Sequence, residues 1–478
     1  MNNRCASTNS PPQKRGSVVS SALLIALGLC CSATPACGQA PTIEKLAAPS
    51  DPATLPRGED WTQWRGPRSN GLAMQTALPS AWPKAAPEPR WVAPLGEGWS
   101  SPIVAAGRVY VLDRKAELER VAAYDADTGK LAWERTNPVD FDPHQVGRRH
   151  GNGPKGTAAF ADGYVYTVGI AGWMQCLKVD NGELVWKHYF PEEFADPVPL
   201  PDSRAYVVGE DHVIVPISDG PGGIKRGAQV PLFGYTGSPL VFGEFVIAAT
   251  GGVRGGTITA FDRKTGKVAW HALRENVSYS SPVVAEIGGV KQVIVATGPR
   301  LVGLELATGK LLWDVPYQNQ YDETIGTPVV AGDHVLLTAV GRPLSAWRIA
   351  RDTAGGFAAT ELWRNEDFSS YLSSVIVVGD YVYGMNDGGE WNCAKLSDGK
   401  TIWRGGSHGY YTTPIVAENR ILALNERGTL DVVAANPAKY EPIASLHLAK
   451  DATWSTPAIV ADRLYIRSKS ALLCFELK

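Results

Sequence analysis

Cysteine is scarce in this 478-residue chain: there are seven, and Cys5, Cys30, Cys31 and Cys37 all lie near the N-terminus. The other three, Cys176, Cys393 and Cys474, show no CxxC spacing and no paired framework, which excludes a disulfide-built fold and a cysteine zinc site. No two histidines stand at zinc-ligand spacing either. Charge of one sign is also missing, with 46 Lys and Arg against 48 Asp and Glu. That balance gives no global drive toward nucleic acid or an anionic membrane surface. Helical periodicity is absent over any long stretch. The one notable apolar run, residues 18–31, is shorter than the roughly 20 residues a membrane span needs.

That run follows Arg4, Lys14 and Arg15 and precedes small residues, the layout of a secretory signal. Residues 1–40 are read as a signal peptide with cleavage after Ala36, Gly38 or Ala40. The protein is then exported, periplasmic or extracellular, with an option of peripheral attachment to the envelope. Removing the three basic residues of the leader from 46 leaves 43 against 48 acidic. Residues 41–58, rich in Ala and Pro, form a flexible lead-in, and residues 59–478 form one domain.

A repeat organises that domain. Ala260-Phe261-Asp262-Arg263-Lys264-Thr265-Gly266-Lys267-Val268-Ala269-Trp270 reads as a strand, a tight turn with glycine at positive φ, and a second strand. The pattern recurs at 123–133, 176–186, 303–313 and 393–403, and a diluted copy ends at Trp363. Cys176, Cys393 and Cys474 occupy the place of Ala123 and Ala260, so they are expected as small buried residues in separate repeats. Each signature follows an opener, Ser/Thr-Pro plus apolar residues. The openers are Ser101, Ser238, Ser281, Thr327, Thr413 and Thr456, with weaker forms at Thr157 and Ser374. Four short strands in roughly 40 residues is the period of a propeller blade.

The expected fold is therefore all-β, an eight-bladed β-propeller of four-stranded antiparallel blades. The C-terminal stretch supplies only three strands. Arg90-Trp91-Val92-Ala93-Pro94 provides the fourth, with Trp91 at the signature position, and closes the ring so that no strand edge is left open. Residues 191–234 are read as an insertion, with a hairpin around Gly209-Glu210-Asp211.

The signature Ala-x-Asp-x-x-Thr-Gly-Lys-x-x-Trp, complete at 123–133 and 260–270, resembles the repeat of the PQQ-type quinoprotein propellers. The opening Trp61-Thr62-Gln63-Trp64-Arg65-Gly66-Pro67 looks like that of exported PQQ-binding-like members. The superfamily includes PQQ- and calcium-dependent alcohol dehydrogenases and non-enzymatic BamB-like proteins, so the resemblance implies a fold and leaves function open. It also implies that Trp91, Trp133, Trp186, Trp270, Trp313, Trp363 and Trp403 wedge neighbouring blades together. The dehydrogenases carry an adjacent-cysteine disulfide and a calcium held by Glu, Asn and Asp. Here the only adjacent cysteines are in the leader, and Asn386, Asp387 and Glu390 merely share a loop. No catalytic residue, metal or cofactor is expected; PQQ with Ca²⁺ is the alternative, and a carbohydrate-binding module is a further one.

Two sets of residues mark the face opposite the Thr-Gly-Lys turns. Trp99, Tyr235, Tyr279, Tyr371, Tyr411 and Trp454 precede inner strands; they either pack the channel mouth or form a recognition surface. Arg114, Arg254, Arg300, Arg342, Arg427 and Arg467 follow second strands, and Arg148 and Arg149 lie in the first interblade loop. They either ring a funnel that attracts an anionic macromolecule or acidic protein surface, or are solvated charges balanced by Asp113, Asp387, Glu390 and Glu426. The expected function is a monomeric, non-catalytic binding scaffold for an envelope protein, without nucleic acid and without a transmembrane segment in the mature chain. Gly405-Gly406-Ser407-His408-Gly409 matches a nucleophile-elbow pattern, but it lies in an interblade loop rather than at a strand-to-helix turn.

Overall fold

The computed structural model describes residues 58–139, 141–143, 145–194, 206–208, 214–216, 231–252, 256–319 and 323–477. Arg254, the signal segment and most of 41–58 lie outside them. Eight blades of four antiparallel strands follow one another: blades 1 (103–138), 2 (159–189), 3 (240–272), 4 (283–316), 5 (329–365), 6 (376–405), 7 (415–447, its sheet extended by a fifth strand) and 8 (458–476 with 91–94). Within each blade the strands run antiparallel in sequence order from the axis outward. Blade 8 takes its outermost strand, Trp91–Pro94, from the N-terminal side, with Trp91 opposite Cys474. In the 191–234 insertion, Tyr206–Val208 pairs with Ile214–Pro216 as a two-stranded sheet of its own. Among the described residues no helix is long and apolar enough to cross a membrane.

The signature explains its own geometry. The small residue of the third strand faces the tryptophan of the outer strand: Ala123 opposite Trp133, Cys176 opposite Trp186, Ala260 opposite Trp270, Gly303 opposite Trp313 and Cys393 opposite Trp403. A bulge follows each pair, turning the strand. At Gly303 an added Cβ would lie 2.2 Å from the Trp313 ring. Cys176, Cys393 and Cys474 are buried free thiols.

Each indole then reaches the next blade. Trp133 donates to Val179 O, Trp186 to Arg263 O, Trp270 to Leu306 O, Trp363 to Leu396 O, Trp403 to Asn436 O and Trp91 to Ala126 O, all at 2.7–3.2 Å. The turn glycine of the next blade lies on the same ring: Gly266 has φ +73°, and its missing Cβ would lie 2.7 Å from Trp186. Glycine is thus required twice, for its left-handed backbone and for the contact. Asp262 and Thr265 complete the turn, since the Asp262 carboxylate accepts from the Thr265 N–H and hydroxyl at 2.8 and 2.7 Å. Trp313 is the exception: its indole stays in blade 4, on Gln292. Blade 5 replaces the tight turn with a long hairpin, Arg342–Arg351 paired to Phe357–Asn365.

The openers form a second lock, around the axis. The hydroxyls of six of the eight accept the backbone N–H of the preceding opener: Ser101 N–H to Thr157, Thr157 to Ser238, Ser238 to Ser281, Thr327 to Ser374 and Ser374 to Thr413, at 2.9–3.4 Å. Thr456 N–H to Ser101 crosses the seam between the last and first blades at 2.9 Å. A serine or threonine is needed because only a short hydroxyl reaches sideways from the strand while its backbone stays in register.

Residues 59–78, placed by sequence at the start of the domain, form no blade. They line the inside of the ring. Trp61 bridges Val104 of blade 1; Thr62 O accepts from Phe160 of blade 2; Gln63 Oε1 accepts from Val241 of blade 3. Trp64 donates to Thr327 of blade 5, and Arg65 to Val375 O of blade 6. Leu72–Ala73 then pairs in parallel with Val416 and Ala417 of blade 7, and Ala77 N–H bonds Ala461 of blade 8. This axial segment fills the channel on the side of the signature turns.

Candidate binding face

On the opposite face, which carries the interblade loops, the channel mouth is covered by aromatic rings. Trp99 of blade 1 stacks on Trp454 of blade 8 at 4.6 Å between centroids, and Trp454 on Tyr411 of blade 7 at 4.4 Å and 3°. Tyr371 of blade 6 meets Tyr411 edge-on at 6.1 Å. Five of the six aromatics expected here therefore border the mouth, Tyr279 of blade 4 joining through Phe233 at 5.4 Å. Tyr235 does not: it is buried between blades 2 and 3 with its ring 5.3 Å from Phe190, because Gly172 leaves room beneath it.

His150, which the sequence places on this face in the run Gly147-Arg148-Arg149-His150, and Phe233, which it does not single out, join the two halves of this cap. The first interblade loop contains the short 3₁₀ helix Gln145–His150. It brings the imidazole 5.3 Å from Trp454 and 5.6 Å from Phe233. The Trp99 indole donates to His150 O at 2.8 Å. Arg149 donates to His150 Nε2 at 2.9 Å and to the Tyr371 hydroxyl at 2.8 Å, tying blade 1's loop to blade 6. As the acceptor of a guanidinium N–H, Nε2 carries no proton. Burial, with the Arg149 and Lys155 charges, pulls the imidazole down to about 4. A histidine beside two arginines in the sequence was the available signal.

Beneath the loop, Lys155 donates to Gly151 O and Phe233 O at 3.3 and 3.4 Å. Burial lowers its ammonium to about 8, against the attraction of Glu119. Burial likewise raises Glu119 to about 7, although its carboxylate accepts the Ile170 N–H at 2.7 Å. This pair roots the cap in blades 1 and 2.

The arginines divide into two kinds. Arg114 and Arg467 are buried and committed to backbone carbonyls. Arg114 serves Ala116, Phe141 and Asn152, and Arg467 serves Ser100, Leu112 and Gly96 at the closing seam. Loops that turn inward expose carbonyls lacking strand partners, and a guanidinium satisfies several at once. Arg300 is held by Glu275 and Asp314 at 2.8 and 3.2 Å, and Arg342 lies over the Tyr317 ring at 4.9 Å. Arg148, Arg149 and Arg427 are exposed. The described arginines therefore form no continuous ring.

Beside Arg427 a cleft of about 640 Å³ opens between blades 6 and 7, lined by Ser407, His408, Asp431, Tyr440 and His447. His408 bridges Asp431, on Nδ1, and the Tyr440 hydroxyl, at 2.7 Å on Nε2. Burial, with the Asp431 charge, raises the Tyr440 phenol above its ordinary value. Ser407 has no bond to His408, so the Gly-x-Ser-x-Gly match forms no nucleophile–base pair.

With this geometry in view, the chain can be compared with known proteins. Residues 75–144, 119–225 and 228–405 match the family described as outer membrane protein assembly factor BamB. The chain belongs to that family. BamB of Shewanella oneidensis is 22% identical over 379 residues, spanning 73% of this chain and 89% of that protein. The crystal structure of BamB from Moraxella catarrhalis has a TM-score of 0.52 at 16% identity, covering 80% of this chain and 97% of that one. The quinohemoprotein alcohol dehydrogenase ADHIIG of Pseudomonas putida also has a TM-score of 0.52, at 14% identity over 90% of this chain and 83% of its own. At these identities both structures show the shared propeller fold.

Because the fold is shared with quinoproteins, the fit of PQQ and calcium can be judged on this chain's donors. Asn386 and Glu390 are bonded to each other, Asn386 Oδ1 accepting the Glu390 N–H at 2.9 Å, while Asp387 accepts the Ser369 hydroxyl at 2.7 Å. Their oxygens close a turn rather than converge on a centre. Trp99, Trp454 and Tyr411 stack on one another at 4.4–4.6 Å between centroids, which leaves no gap between their rings for a planar quinone. These residues do not fit the group.

Proposed function

We propose that this protein is an exported, non-catalytic member of the BamB family that binds a protein partner in the cell envelope through its loop face. The carrying observation is the filled channel mouth. With rings stacked across the axis, the face offers a surface and not an enclosed reaction chamber, and broad surfaces suit macromolecules. Half-buried Trp and Tyr side chains flanked by exposed Arg148, Arg149 and Arg427 have the composition of protein-binding hot spots. The lack of overall basic charge fits a protein partner better than nucleic acid. We read the protein as working without PQQ or calcium.

The test is affinity capture from envelope extract with wild type and with the Arg148→Glu/Arg427→Glu double variant. Loss of the principal partner by the variant supports the reading. An unchanged partner set removes these arginines from the interface. Stoichiometric uptake of PQQ in the presence of Ca²⁺, read by quinone absorbance, would sink the non-catalytic assignment.

A further inference from the structure

We propose that the cleft between blades 6 and 7 is a saccharide-binding site, separate from the protein-binding face. One hairpin builds most of it. In blade 7 the third strand, Thr429–Ala434, pairs with the outer strand, Pro442–His447, so Thr429 lies opposite His447 and Asp431 opposite Ser445. Side chains alternate across a sheet with period two. Leu430 and Leu446 therefore point the other way, into the core shared with blade 8, and the four polar residues line the cleft. Its volume of about 640 Å³ lies within the range of small-molecule sites, about 300–1,000 Å³.

Asp431 departs from the repeat. It stands one residue before the third-strand position that carries the small signature residue in other blades. The other blades have an uncharged side chain there, Ala122 in blade 1 and Asn392 in blade 6 among them. Asp431 is buried, and burying a carboxylate is costly unless partners offset its lost hydration. Oδ2 meets His408 Nδ1, while Oδ1 has no hydrogen-bond partner among the described residues.

The loop 405–409 is shaped around that contact. His408 Nε2 meets the Tyr440 hydroxyl at 2.7 Å. A Cβ at Gly406 would lie 2.5 Å from Nε2 and 2.6 Å from the hydroxyl oxygen, and one at Gly405 would lie 2.9 Å from the Tyr440 side chain. The glycines thus make room for the imidazole and phenol to meet. In neutral His408 the carboxylate takes the Nδ1 proton, so Nε2 accepts the Tyr440 O–H and the phenol oxygen is left as an acceptor.

The cleft therefore combines two acceptors, Asp431 Oδ1 and the Tyr440 oxygen, with the hydroxyls of Ser407, Thr429 and Ser445. Arg427 adds a guanidinium that is exposed; among the described residues Arg427 is bonded through its backbone N–H, to Asn425 Oδ1. Ile443, 40% exposed, adds an apolar wall. Sugar hydroxyls both donate and accept, and so suit this mixture, while the C–H face of a sugar ring suits Ile443. Ions suit it less: a phosphate would meet Asp431, and an ammonium would meet Arg427.

Saturation-transfer NMR on the full protein tests the assignment, with glucose, N-acetylglucosamine, galacturonate and cellobiose as probes and glucosamine and lysine as cationic controls. Transfer to the ring protons of at least one of the four probes is expected. Ser445→Trp, which fills the cleft from an exposed position, should abolish it, and Asp431→Asn should weaken binding about ten-fold. Arg148→Glu should leave it unchanged. No transfer to any of the four, transfer confined to the two cations, or transfer that persists in Ser445→Trp would overturn the proposal. Ser445→Trp decides if Asp431→Asn does not fold. Capture of the envelope partner by Ser445→Trp should match wild type, so this site and the protein-binding face succeed or fail separately.

Discussion

The two faces of the ring are made from the same strands and follow opposite rules. On the signature face six of the eight blades repeat one contact, an indole donating to the next blade's carbonyl, and in five of the six a turn glycine lies on the ring. On the loop face the blades do not share one contact. One loop supplies His150, another Tyr371, another a buried guanidinium. Repetition is what locking requires, since every interface has the same two surfaces to join. Departure from it is tolerated where the ring is already held, and there recognition can vary without cost to closure.

The comparison can be broken most forcefully from the signature side. Trp270→Ala removes a buried indole and its bond to Leu306 O, and should cost about 3–5 kcal/mol in a denaturant melt. Gly266→Ala adds a Cβ against Trp186 at a left-handed φ; a loss of about 2–4 kcal/mol is expected from strain and overpacking together. If either variant melts like wild type, the locking role assigned to that face fails.

The loop face should respond through pH and binding. The Glu119 carboxyl sits at about 7 when folded, above its ordinary 4.5, so the native state holds the proton longer than the unfolded one. Stability from this group is full below about 4.5 and declines as pH rises through 7. Glu119→Gln should match wild type near pH 4.5 and exceed it at pH 8 by roughly 1–3 kcal/mol, measured by urea unfolding at both values. An equal offset at the two pH values would refute the titration. The smallest stability effect belongs to Arg148→Glu/Arg427→Glu, within about 0.5 kcal/mol of wild type. A larger loss would mean that these side chains belong to the lock and not to the recognition surface.

What could be read from the sequence follows the same division. Period, signature and openers gave the blades, the closure by Trp91 and the burial of Cys176, Cys393 and Cys474, because each is a local pattern repeated until chance is excluded. The openers turned out to have a hydrogen-bonding reason as well. The axial course of 59–78 was not legible: its partners are one to three residues from each of seven blades, and no periodicity records them. Nor could Arg114 be told from Arg427. Both follow second strands, and only the fold of neighbouring loops decides which meets carbonyls and which meets water. Tyr235 has the same offset as Tyr371, three residues before its opener, yet Gly172 in another blade opens a space that draws it inward. His150 carried a weak signal that its exposed neighbours obscured.

The pairing of Trp91 with Cys474 also sets a timetable. The strand that completes blade 8 is made early, and its partner, Ala471–Glu476, follows the strands of all seven other blades. Until then the growing chain is an open arc with an unpaired strand at each end, and the axial segment has no wall on the blade 8 side. A chain stopped before residue 471 would keep both edges available to other molecules, so closure of the ring and protection from aggregation coincide in a single step.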